Sequence, residues 1–199
     1  MRPVLAAAVL VAGLALPASA ATHAPCPQLA DPTGDQEYPY GDSADDLTQV
    51  RLSGDARSVT VVLKVADVRN STPAPTGHVY EVYLQDGESG RVFRAAVDSL
   101  TPAFTLAYGQ APRGQSAYPA GKSLGTITGV VDTARNEVRM TAPLTQLQWR
   151  AGRKLEASAV VWRSVGTVGA GPVARDSVVA STDFSDDVTT YRLGDRGCR

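Results

Sequence analysis

SVTVVLKVA, residues 58–66, sets Val59, Val61, Leu63 and Val65 on one side of an extended chain and Thr60, Val62 and Lys64 on the other. Successive side chains of a strand point to opposite faces, so this period of two predicts a strand with one face in a core. Residues 78–84 repeat the pattern, with Tyr80, Val82 and Leu84 opposite Glu81 and Tyr83. Further strands are expected at 47–52, 91–97, 103–108, 126–132, 137–141, 154–163 and 177–180. Turn formers separate them, as in DGESG at 86–90 and DTARN at 132–136. The second of these joins 130–132 to 137–140 as a hairpin. The one helical stretch is 143–149, at most two turns. About nine strands with hardly a helix predict an all-β antiparallel sandwich, not a βαβ fold.

The first twenty residues read as an export signal. Arg2 supplies the positive start, residues 4–16 are apolar but for Gly13, and Ala18-Ser19-Ala20 is an A-x-A cleavage pattern. The expected mature chain is a single domain over 21–199, secreted and soluble. The apolar stretch falls short of the roughly twenty residues a membrane span needs, and no later segment reaches that length. Without Arg2, eighteen basic residues face twenty acidic ones, a balance that suggests neither a nucleic-acid nor an anionic-membrane partner. The pair Cys26 and Cys198 brackets the expected domain, which in an oxidising compartment reads as one disulfide joining the chain ends. Two free or intermolecular thiols are the other reading.

Between residues 22 and 50 there is no Lys or Arg, while Asp31, Asp35, Glu37, Asp42, Asp45 and Asp46 stand among glycines and prolines. A hard divalent cation, calcium above all, would relieve their repulsion with side-chain and carbonyl oxygens. Pro32 restrains the turn and Gly34 can take a positive φ, so Asp31 and Asp35 can fold toward one point. Asp45 and Asp46 could close the shell. The D-x-[DN]-x-[DN]-G spacing of an EF-hand is missing. A solvated acidic loop using Asp for turns and caps is the plainer alternative. A second acidic group, Asp183, Asp186 and Asp187, would approach the first if the cysteines pair, giving a shared or second metal site.

The run DPTGDQEYPYGDSADDLTQVRLSGDARSVTVVLKVADV, residues 31–68, resembles the opening of DOMON-like β-sandwiches related to family-nine carbohydrate-binding modules, common in secreted bacterial proteins. The stretches at 142–147, 151–155 and 176–177 resemble that group's short helical turn, re-entry strand and closing edge. The resemblance implies a jelly-roll-like sandwich with calcium near the chain start, held by the matching Asp31, Asp35 and Asp46. Asp45 is an adjacent candidate outside the pattern. Some relatives bind sugar, for which Tyr38, Tyr40, Tyr118 and Trp149 are the aromatic candidates, each also suited to covering a core edge.

Catalytic patterns are weaker. Gly121-Lys122-Ser123-Leu124-Gly125 fits G-x-S-x-G, but loop precedes it and a β-like run follows, whereas a nucleophile elbow needs strand then helix. His78 opens a strand, a setting for a structural or surface role. The expectation is a non-catalytic, calcium-stabilised extracellular module. Its partner would be a carbohydrate or a protein, or its role purely structural, and its oligomeric state is open.

Overall fold

A computed structural model of the chain describes residues 28–35, 43–70, 76–87, 89–97, 102–110, 121–165, 178–185 and 189–194. In chain order the strands are β1 (Gln28–Ala30), β2 (Leu47–Gly54), β3 (Ser58–Val65), β4 (Thr76–Asp86), β5 (Ser89–Val97), β6 (Ala103–Tyr108), β7 (Ser123–Thr126) and β8 (Thr128–Asp132). They continue with β9 (Glu137–Pro143), the single α-helical turn α1 (Leu144–Leu147), β10 (Lys154–Val165), β11 (Val178–Phe184) and β12 (Thr189–Arg192). Two antiparallel sheets result. One runs β1-β2-β3-β9-β8; the other runs β11-β10-β4-β5-β6-β7, with β12 also paired to β10. The chain passes between the sheets after β3, β7 and β9, which is the sandwich the alternation predicts.

The apolar sides expected for β3 and β4 do meet in the core. Val59, Val61, Leu63 and Val65 pack with Tyr80, Val82 and Leu84, joined by Phe93, Leu106, Met140, Leu155 and Val161 from neighbouring strands. Each such side chain contributes roughly 1.5–3 kcal/mol by leaving water. The opposite face of β4 departs from expectation. Glu81 and Tyr83 are as buried as the core, because Val79, Val92, Val160 and Trp162 form a second apolar cluster around them on that side. Glu81 is accommodated there by Arg94, 3.5 Å away, and by the Tyr83 hydroxyl, which donates to it at 2.6 Å. Burial nonetheless pushes the Glu81 carboxyl upward.

Twelve described strands exceed the expected nine for a local reason. The single run at 126–132 begins earlier and is split at Ile127. Ser123–Thr126 pairs with β6, the Ile127 N–H donates to the Phe104 carbonyl at 3.1 Å, and Thr128–Asp132 then pairs with β9 in the other sheet. The short β1 and β12 carry too few residues to show a period. The hairpin between β8 and β9 is as expected, its turn held by the Asp132 carboxylate accepting from Ala134 and Arg135 N–H groups at 3.0 and 3.1 Å. Among the described residues, no helix is long and apolar enough to cross a membrane.

Candidate metal centre

The strand β1 ends where the acidic turn begins, and pairing with β2 fixes the turn's start: the Asp31 N–H donates to the Thr48 carbonyl at 3.1 Å. Gly34 takes φ of 85°, a conformation side-chain-bearing residues resist. Its N–H donates to Asp46 Oδ1 at 3.0 Å, so the turn is tied back onto the residue that precedes β2. From the other sheet, Asp183 on β11 reaches across, its Oδ2 accepting from the Leu47 N–H at 2.6 Å.

These constraints bring carboxylate oxygens of Asp31, Asp35 and Asp183 within 4.8 Å of one another. Asp31 and Asp183 are buried and Asp35 is exposed, which gives a half-open pocket of acidic oxygens at the junction of the sheets. The repulsion is visible at Asp183. Burial, then the charges of Asp31, Asp35 and Asp46, push its carboxyl up to about 8, against the pull of the Leu47 N–H.

The donor set suits a hard cation: all oxygen, mostly anionic and with one open side. Calcium–oxygen bonds of about 2.3–2.6 Å put opposed ligands roughly 5 Å apart, so groups within 4.8 Å of one another can share one ion.

Of the four expected ligands, Asp31 and Asp35 meet, and Asp46 stands beside them as the acceptor for the turn. Asp45 faces elsewhere. It is fully buried in the turn that precedes β2, 2.6 Å from His78 Nδ1 and 3.6 Å from Arg163 Nε. The same contact gives His78 a structural setting, while Ser123 lies within the edge strand β7. Asp183 is held in the cluster by strand pairing, opposite Val161 of β10. The sequence names Asp183 within the second acidic group, although the strand expected there stops at residue 180, short of it.

Cys26, Cys198, Tyr38, Tyr40, Tyr118, Asp186 and Asp187 lie outside the described residues, as do residues 1–20. Trp149 follows α1 and is only 6 % exposed. The guanidinium carbons of Arg91 and Arg153 lie 4.7 and 5.7 Å from its ring centroid. It therefore forms part of a basic cleft wall and does not present a bare ring for stacking. Comparison with protein-family models, curated proteins and solved structures finds no match for the chain.

Proposed function

We propose that the protein is a secreted, non-catalytic β-sandwich whose acidic corner holds a calcium ion, and that it serves outside the cell as an accessory or ligand-binding module. One observation carries this reading: carboxylates from both sheets converge at Asp31, Asp35 and Asp183, with Asp46 tied to the same turn. An ion there would join β1, β2 and β11, stabilising a structure that otherwise accumulates like charge. The leader-like start and the cysteine pair support the extracellular setting.

The test is thermal unfolding of the exported protein after chelation and after calcium is returned. Binding to the folded chain alone stabilises by about 2.7 kcal/mol at a hundred times Kd, so chelation should lower the melting temperature and calcium should restore it. An identical melt for protein shown to be metal-free and protein saturated with calcium would sink the reading.

A further inference from the structure

At the other end of the sandwich, α1 closes over β5 and β6. Arg91 of β5 points into the interior and is 4 % exposed. Its Nε donates to the Leu147 carbonyl and its Nη1 to the Gly90 carbonyl, both at 2.9 Å. Its guanidinium carbon lies 4.3 Å from the Tyr108 ring centroid and 4.7 Å from that of Trp149. No carboxylate pairs with it among the described residues. Beside it opens a cleft of about 470 Å³ lined by Gln148, Trp149, Arg150, Ala151 and Arg153, within the size range of small-ligand sites.

The charged side chains that line this cleft, Arg150 and Arg153, are both cationic. Arg153 pairs through Nε with Asp86, which leaves its terminal nitrogens as donors, and Arg150 is exposed with no ion pair among the described residues. The three guanidinium groups of Arg91, Arg150 and Arg153 thus face one carboxylate. Gln148 ends α1 in the left-handed region, at φ of 59°, unusual for a residue with a side chain. The Tyr108 hydroxyl donates to its Oε1 at 2.6 Å, which fixes the amide so that Nε2 remains a donor.

We propose that this cleft is an oxyanion site, receiving the carboxylate or sulfate group of a ligand on Arg150, Arg153 and the Gln148 amide, with Arg91 as the fixed positive charge behind Trp149. Planar guanidinium groups bind such oxyanions through paired, charge-assisted hydrogen bonds. Burial, and then the nearness of Arg153, push Arg91 downward, a strain that an anion in the cleft would offset. The site is independent of the acidic corner and does not require it to hold metal.

The experiment is an NMR titration of the full mature protein at constant ionic strength with three probes: sodium glucuronate, sodium sulfate and glucose. Saturable shifts at the amides of Gln148, Arg150, Ala151 and Arg153 and at the Trp149 indole are expected with glucuronate or sulfate, and none with glucose. Which anion binds more tightly separates carboxylate from sulfate ligands. The double variant R150Q/R153Q, altered at exposed positions, should lose roughly tenfold or more in affinity, while R150K/R153K, which keeps the charge but not the paired donor geometry, should fall between it and the native protein. Linear, non-saturating shifts, binding undiminished in R150Q/R153Q, or glucose binding as well as glucuronate would each overturn the proposal.

Discussion

The acidic corner and the basic cleft each crowd like charges into a small volume, and they dispose of the repulsion differently. Asp183 is registered opposite Val161 of β10, while Arg91 is registered, through Leu84 of β4, with Ala157. Four residues of strand, about 13 Å, separate the two positions along the sheet. In the cleft the buried cation finds two aromatic faces and two backbone carbonyls, because a guanidinium is flat, weakly hydrated and rich in donors. A carboxylate has only acceptor oxygens, and its relief comes from N–H donors, a proton or a cation. Asp183 has the Leu47 N–H, and one donor does not outweigh burial and its acidic neighbours. Similar crowding therefore leaves a demand for positive charge at one end and a demand for an anion at the other.

Asp45 breaks the comparison from within, since it sits beside the acidic corner yet is compensated by opposite charge. Removing one member of a buried ion pair costs about 3–5 kcal/mol. The largest effect is accordingly expected for Asp45→Ala, a loss of about that size in urea unfolding of calcium-saturated protein, because His78 and Arg163 lose its carboxylate. The melting shift between chelated and calcium-saturated protein should persist in this variant. Its disappearance would return Asp45 to the ligand set.

Asp183 sharpens the contrast through pH. Its carboxyl sits near 8 in the folded, metal-free chain against an ordinary value of 3.8. The unfolded chain thus releases this proton first, and the folded chain holds the excess proton between those values. Stability of metal-free protein should fall as pH rises from about 4 to about 8, then level off. Calcium favours the ionised form and should flatten that slope. Asp183→Asn keeps an acceptor for the Leu47 N–H and should abolish both the slope and most of the calcium response, which amounts to about 2.7 kcal/mol at a hundred times Kd. Anion binding at the cleft should be unchanged. A pH slope that survives in Asp183→Asn would assign the titration to another group.

The two ends also differ in how far the sequence revealed them. Alternation in residues 58–66 and 78–84 was enough for the sandwich, because a half-buried strand must repeat every two residues. Asp31, Asp35 and Asp46 were legible since they share one short, turn-rich segment. Asp183 lies 137 positions beyond Asp46, so its acidic neighbours mark it as a candidate but its place at the corner rests on the pairing of β11 with β10 and on the Leu47 N–H. Asp45 adjoins Asp46 in sequence, yet its carboxylate lies against His78 and Arg163, a direction that adjacency alone does not encode. In the cleft, Trp149 stood out as an aromatic, but Arg91 carried no mark: a charged residue on the inward face of β5 contradicts the alternation that identifies the strand. Its burial depends on Tyr108, Leu147 and Trp149, contributed by separate elements.

The smallest effect probes whether the corner is prearranged for its ion. Gly34 has open space where a Cβ would project, so Gly34→Ala introduces no collision and tests the backbone alone. Holding φ near 85° costs an alanine about 1–2 kcal/mol. The turn can avoid that cost by relaxing, but doing so withdraws the Gly34 N–H from Asp46 and moves Asp35 away from Asp31 and Asp183. A modest loss of stability should therefore accompany a several-fold weaker calcium affinity, both read by calorimetric titration and melting of the same sample. Asn tolerates the left-handed region better, so Gly34→Asn should recover part of each. Loss of stability with undiminished calcium affinity would mean that the ion, when bound, shapes the turn itself, and that the corner is organised by its ligand.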